Sequence, residues 1–407
     1  MEVKIIKGTR QIGSCVTEIK CGKTRIIIDF GEELEDIVED FELEGLTFGE
    51  PVYDAVFITH SHGDHMGLID KVMESIPIYV EEKSLEIYNL TCDFCGIERI
   101  KRKVNVFKLS KDVDNSKPIF SKQDIKVTPY IVDHSSYNSC MYLIEGDNEK
   151  ILHTGDFRNH GRKKYLFDKI LKSIGKVDLL ITEGTSLTRC EDKYMRENEL
   201  EDAAFEIMKN YDQVFIMQSS TNVDRTVSFI RSTLRSNKKF VLDLFSYHLN
   251  KIVNLNIDVD NKKVFAWIPL KYIYKSDEFK DNYLDIETSS RFLPNFTMEV
   301  KMSMLSDIKL LYKKGLVKNA CFIYSMWDGY IEKEEKLQKF IDELELMGIK
   351  FIELHTSGHA DKDAMVKLNK LVNPDKTIII HTEDKENGKY LFNNVMDIID
   401  GKYYNVK

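Results

Sequence analysis

Along the first half of the chain the apolar positions come in short alternating runs that predict β-strands. Val3 to Lys7, Cys15 to Ile19 and Arg25 to Asp29 are such runs, separated by Gly8 to Ser14 and by Gly22-Lys23. Glu32 to Glu50 is acidic with little periodicity and reads as a surface loop. The apolar run Ala55-Val56-Phe57-Ile58 follows, and then Leu68, Ile69, Val72 and Met73 fall on one face of a helix expected over Met66 to Ser75. Ile78 to Leu109 alternates short strands with one helix. Ile125 to Val132, Cys140 to Ile144, Lys150 to His153 and Asp178 to Thr182 form a second group of strands.

The period then changes. Leu200, Ala203, Ala204, Ile207 and Met208 have helical spacing, Gln213 to Gln218 is a strand, Val223 to Leu234 a helix, and Phe240 to Leu244 a strand. Cys321 to Tyr324 and Lys333 to Leu346 continue the alternation as strand and helix, whereas Asp258 to Met302 is less regular. Such alternation predicts a parallel sheet covered by helices. Near the end, Lys350 to Leu354 and Ile378 to Ile380 read as strands, a helix begins near Asp361, and Glu386 to Asp397 reads as the last helix. The fold class is α/β, in two domains: 1–186 with 349–407, and an insertion over 187–348. A chain of 407 residues exceeds one compact core and fits that division.

Composition adds little to this and excludes some classes. No apolar run approaches the length of a membrane span, and the N-terminus reads as a strand, not a signal peptide, so a cytoplasmic location is expected. Seven cysteines without framework spacing fit reduced thiols, and Cys92-x-x-Cys95 fits helix packing. The net charge of −9 argues against a binder of nucleic acid over its whole surface. It leaves room for a local basic groove, for which Arg99 to Lys103 and Arg162 to Lys164 are the candidates.

The chemistry is concentrated in Ile58-Thr59-His60-Ser61-His62-Gly63-Asp64-His65-Met66-Gly67. Three histidines and an aspartate at the end of a buried strand bring nitrogen and oxygen donors to one point, as zinc or a similar divalent ion requires. Four donors in one loop exceed a single structural site, so two metals with more distant partners are expected. His134 in Asp133-His134-Ser135 follows one strand and can supply a third nitrogen to the ion of His60 and His62. Asp156 in Gly155-Asp156-Phe157 follows another and, with two oxygens, suits a bridge between metals. His381 ends the last strand and can complete the second ion's shell, while Asp29 ends an early strand and can anchor a ligand imidazole. His355-Thr356-Ser357-Gly358-His359 at a helix N-terminus offers a hydroxyl, backbone N–H groups and imidazoles to a phosphate.

In this order the motifs resemble the metallo-β-lactamase superfamily, and within it the β-CASP nucleases such as ribonuclease J. The matching positions are Asp29, His60-x-His62-x-Asp64-His65, His134 and Asp156. Glu183 in Thr-Glu-Gly-Thr, His359 in Ser-Gly-His-Ala and His381 in His-Thr-Glu resemble the β-CASP motifs. Gln218 to Arg225, with Ser220 and Asn222 as further phosphate contacts, resembles the strand-to-helix turn of the inserted domain. The resemblance implies an αββα sandwich with an inserted β-CASP α/β domain. It also implies two divalent ions, zinc or manganese, one held by His60, His62 and His134, the other by Asp64, His65 and His381, with Asp156 between them. Glu183 would pair with His359, and Asp64, Asp156, Glu183 and His359 would carry the catalysis. A histidine at the position of His381 accompanies RNA substrates in the family, whereas DNA-repair members tend to carry valine.

The expected activity is therefore a metal-dependent ribonuclease acting on phosphodiester bonds of RNA, single-stranded in preference, through water activated by two metals. A DNA nuclease, a metallo-hydrolase of small esters and a catalytically silent RNA-binding subunit are the alternatives. The family leaves room for a homodimer and gives no reason to expect a membrane partner. Gly8 to Ser14 and Tyr324 to Tyr330 depart from the ribonuclease J pattern, and the chain ends soon after the His381 motif, without that family's C-terminal domain.

Overall fold

A computed structural model describes residues 1–34, 41–122, 124–189, 193–254, 263–269, 283–284 and 295–407. The chain divides into two compact units, Met1–Tyr194 with Gly358–Lys407, and Met195–Ser357. The expected limits of 186 and 348 fall earlier. The strand Lys350–Glu353 pairs in parallel with Ala320–Ser325, so it lies in the second unit and the chain returns to the first only at Gly358.

In the first unit two sheets lie face to face. One has seven strands in the order Tyr404–Asn405, Glu2–Lys7, Val16–Cys21, Thr24–Ile28, Ala55–Phe57, Ile78–Glu81, Asn105–Phe107. Its early strands pair antiparallel, and from Thr24–Ile28 onward the pairs are parallel. The other has six, in the order Lys376–Ile380, Leu179–Glu183, Glu149–His153, Cys140–Gly146, Ile125–Ile131, Phe120–Lys122. Successive residues of a strand point to opposite faces, and the apolar positions follow that rule. Ile26 and Ile28 meet Ile125, Tyr142, Leu179 and Ile181 in the core between the sheets. Ile27 turns outward to a layer with Tyr88 and Cys92 of the helix Glu82–Cys95. Leu180 turns the other way, onto Phe167 and Ile170 of the helix Lys164–Ile174 and Met365 and Leu368 of the helix Lys362–Val372. The result is the expected four-layer αββα sandwich. Burying each such Ile or Leu side chain contributes about 1.5–3 kcal/mol.

The second unit is one sheet of seven strands, every pair parallel, in the order Tyr283–Leu284, Val264–Trp267, Lys239–Leu242, Phe296–Glu299, Gln213–Gln218, Ala320–Ser325, Lys350–Glu353. Val214 and Ile216 pack against Leu200, Phe229 and Ile230 from the helices Glu197–Met208 and Val223–Arg235. Phe215 and Met217 pack on the opposite face with Ile308, Leu337 and Phe340 from the helices Leu305–Lys313 and Glu335–Leu346. Strands buried on both faces must be apolar throughout, which is why they show no polar alternation. Of Asp258 to Met302, the described part supplies the strands Val264–Trp267, Tyr283–Leu284 and Phe296–Glu299, and the remainder lies outside the described residues.

Three expected helices differ from the structure. Over Met66 to Ser75 there is only the end of a single helical turn, Gly63–Met66, and a 3-10 turn, Ile69–Lys71. Glu386 to Asp397 contains a 3-10 turn, Asn387–Tyr390, then further turns, and meets an edge strand in the isolated bridge of Val395 with Thr377. There Thr377 N donates to Asn394 O and Met396 N to Thr377 O, so sheet-edge pairing displaces helix. Lys333 to Leu346 is two helices, Gly329–Lys333 and Glu335–Leu346, because Glu334 takes an extended backbone between them.

Candidate metal centre

The strand Ala55–Phe57 runs parallel to both neighbours and ends at the polar loop, which the surrounding backbone clamps. Phe30 N donates to His65 O, Cys15 N to Asp64 O and Glu32 N to Gly63 O, at 2.9, 3.2 and 3.0 Å. A Cβ on Gly31 would sit 1.7 Å from Asp64 O, so only glycine admits this approach. The clamp explains why the apolar spacing after Met66 does not become a long helix.

Asp29 organises the loop from below. Its backbone is left-handed, with φ of 60°, and its side chain is fully buried. One carboxylate oxygen accepts from Thr59 N at 2.8 Å, and the other accepts from Thr59 Oγ1 at 2.9 Å and lies 2.8 Å from His65 Nδ1. Thr59 Oγ1 in turn lies 3.0 Å from His60 Nδ1. A Thr59 hydroxyl that donates to Asp29 must accept from His60 Nδ1–H. Both rings then present an unprotonated Nε2 on the far side, which is the tautomer a metal needs. His134 is set the same way, with Nδ1 2.8 Å from Gly358 O, and His381 with Nδ1 2.7 Å from Thr185 Oγ1.

The nitrogens so aimed converge. His62 Nδ1 lies 3.1 Å from His60 Nε2 and 3.4 Å from His134 Nε2. A tetrahedral zinc with arms of about 2.05 Å has edges of about 3.3 Å, so this spacing fits one ion. His381 Nε2 lies 3.0 Å from Asp64 Oδ2, and His65 Nε2 3.7 Å from the same oxygen. Asp156, after a turn made by Gly155 at φ of 54°, stands among them all. Its Oδ2 is 3.3 Å from His65 Nε2, 3.6 Å from His359 Nδ1, 3.7 Å from His381 Nε2, 3.8 Å from His60 Nε2 and 3.9 Å from His134 Nε2.

Two facts indicate cations here. Both Asp156 oxygens and His65 Nε2 are buried with no hydrogen-bond partner among the described residues. Buried polar atoms are otherwise satisfied almost without exception. Burial also drives the first group of imidazoles to the neutral form that ligates metal: His60 and His134 titrate well below the usual range, and His62 is lowered to about 4. For His65 burial opposes charge as well, but Asp156, Asp64 and Asp29 outweigh it and hold the proton on. Burial likewise opposes charge on Asp64 and Asp156, yet facing imidazoles keep both ionised, His65 foremost for Asp64 and His381 for Asp156. A divalent ion takes the place of such shared protons. The donor set of imidazole and carboxylate suits zinc and also manganese.

Glu183, at the end of the strand Leu179–Glu183, is nearly inaccessible. Its Oε1 accepts from Phe157 N at 2.8 Å, and its Oε2 lies 3.0 Å from His359 Nδ1. The His359 side chain keeps 22% exposure, so a substrate can reach it. Of the expected phosphate contacts, Gly358 opens the return to the first unit, and a Cβ there would sit 2.6 Å from Ser135 Oγ. His355, Ser357, Ser220 and Asn222 belong to the second unit. Asn222 caps the helix Val223–Arg235, accepting from Arg225 N at 3.1 Å, and Ser220 Oγ accepts from Lys301 Nζ.

Sequence reasoning missed Thr59, Thr185 and Cys15. Cys15 is buried, with its sulfur grouped with ring nitrogens of His65 and His381. The expected basic groove at Arg99 to Lys103 is partly spent on structure: Arg102 donates to the carbonyls of Val72, Met73, Glu74 and Ile76, and Arg99 pairs with Asp93. Cys92 is buried and Cys95 exposed on one helix. His153 is packed, with Nε2 3.3 Å from Thr17 Oγ1, and accepts from Gly155 N through Nδ1 at 3.2 Å. Among the described residues no helix is long and apolar enough to cross a membrane.

Residues 24–212 match the family model of the beta-lactamase superfamily domain. Over 403 residues the chain is 23% identical to an RNase J-like protein of Methanocaldococcus jannaschii, covering 94% of this chain and 92% of that one. Over 411 residues it is 22% identical to ribonuclease J of Helicobacter pylori, and there it spans 56% of the relative's length. A crystal structure of an Enterococcus faecalis protein of unknown function shares the fold, with a TM-score of 0.79 at 19% identity and 99% coverage of both chains. Joined to the sandwich and its histidine loop, these likenesses mark residues 24–212 as a beta-lactamase superfamily domain, in a chain that is similar over nearly its whole length to ribonuclease J-like proteins.

Proposed function

We propose that the protein hydrolyses phosphodiester bonds of RNA at this centre. The observation that carries the reading is the ring of imidazoles around the unpartnered Asp156, with the Glu183–His359 pair beside it. The names of the ribonuclease relatives support RNA over DNA.

His60, His62 and His134 would hold one divalent ion and Asp64, His65 and His381 the other, with Asp156 between. When bound, two such ions, zinc being our assignment, would supply positive charge at the phosphate and make the attacking water more acidic. Asp29 and Thr59 fix the ligand tautomers, so the rings need no rearrangement as charge develops. Asp64 or Asp156 accepts the proton of the attacking water. Glu183 holds His359 by Nδ1, which turns Nε2 toward the substrate side. There it can stabilise the transition state or pass a proton to the leaving 3′ oxygen. We assign the second unit to the β-CASP insertion, and Gly358, at the start of the returning segment, to a phosphate contact. Single-stranded RNA, a homodimeric assembly and a cytoplasmic location complete the reading.

The test incubates purified protein with end-labelled RNA and DNA, with and without a chelator. Metal-dependent cleavage of RNA in preference to DNA is expected, and stepwise or internal products will distinguish exonuclease from endonuclease action. Full activity in His62→Ala or Asp156→Ala sinks the scheme.

A further inference from the structure

The strand Leu179–Glu183 pairs in parallel with Lys376–Ile380, with Glu183 opposite Ile380. That register places the residues just beyond the two strands side by side. Thr185 Oγ1 lies 2.7 Å from His381 Nδ1 and 3.4 Å from His381 O, and Thr185 is buried. His381 has a left-handed backbone, φ of 54°, and its N–H donates to Gly8 O at 2.7 Å. Its ring points the other nitrogen at Asp64 Oδ2.

Only one proton arrangement satisfies every atom if Nε2 is to offer a lone pair. Nδ1–H donates to Thr185 Oγ1, and the Thr185 hydroxyl turns its proton to His381 O. The alternative, a hydroxyl donating to an unprotonated Nδ1, leaves the proton on Nε2 and abolishes it as a donor atom for metal. We propose that Thr185 is a positioning residue that fixes the tautomer and ring plane of His381. Glu183-Gly184-Thr185 then orients both histidines of the returning segment, His359 through the acid and His381 through the hydroxyl. The proposal rests on the reading that His381 holds an ion.

Thr185→Val keeps the shape and removes the hydroxyl, and Thr185→Ser restores it. Each chain is loaded with zinc, dialysed against graded concentrations of a competing chelator, and measured for zinc per chain by elemental analysis. The wild type should hold two ions. Thr185→Val should hold one as tightly as wild type and the other about 10- to 100-fold more weakly, the usual cost of losing a ligand's hydrogen-bond partner. Thr185→Ser should recover most of that loss, which a merely structural defect would not allow. A Thr185→Val chain with two ions of unchanged affinity overturns this proposal and leaves the metal reading intact. A wild-type chain that binds no zinc overturns both.

Discussion

Each unit buries a carboxylate at the end of a strand, and the two are kept in different states. Asp156 in the first unit faces five imidazoles, four through Nε2 and His359 through Nδ1. Glu299 in the second unit ends the strand Phe296–Glu299, accepts from Ser246 Oγ at 2.9 Å, and lies 3.5 Å from Lys301 Nζ. Burial first, and then the Asp243 carboxylate, push Glu299 up to about 7, so near neutrality it retains much of its proton. A protonated carboxyl is a donor and needs no cation. Asp156 is held ionised by the imidazoles around it, and neither of its oxygens has a hydrogen-bond partner among the described residues, so they call for metal. Equal burial thus carries opposite meanings, and the neighbours decide which.

The comparison is broken most severely by Asp156→Asn. Loss of the Asp156 charge should lower RNA cleavage by at least about 10²–10³-fold, with the circular dichroism spectrum unchanged. His359→Ala should follow, at roughly 10²-fold or more in turnover with zinc content intact, since His359 is assigned to proton transfer and not to either ion. Gly31→Ala tests the clamp beneath the loop. Its new methyl must displace the backbone at Asp64, and a loss of roughly 1–3 kcal/mol in denaturant unfolding, together with weakened zinc retention, is expected.

The smallest effect on RNA cleavage belongs to the second unit. The Glu299 carboxyl titrates at about 7 in the folded unit against a reference value of 4.5. The folded state therefore binds this proton more tightly. Its contribution is full below about pH 4.5 and fades as pH rises through 7, by up to roughly 3 kcal/mol. Glu299→Gln should flatten that slope in unfolding scans between pH 5 and 8 while RNA cleavage stays at wild type. An unchanged slope would mean that Glu299 is ionised throughout.

The histidine loop was legible because a metal site needs many donors close together, and few other demands on a sequence concentrate them so. His134, Asp156 and His381 were legible as polar residues directly after apolar strands. Thr59 and Thr185 were not, since each acts on a histidine through one hydroxyl and in sequence resembles any turn threonine. Thr185 reaches His381 only through the register of two strands far apart in the chain. The helix expected over Glu386 to Asp397 failed for a related reason. Its composition allows helix, but an open strand edge at Thr377 captures the segment. Local pattern carried the sandwich and the covered parallel sheet, whereas long-range pairing decided the edges.

The contact between Asp64 and His381 joins residues 317 positions apart. A ribosome delivers the histidine loop early and the whole second unit before the final ligand emerges. Until then the nascent chain has His60, His62 and His134 but an open second ion position. The interrupted order of the domains therefore makes completion of this cluster wait on the whole second unit.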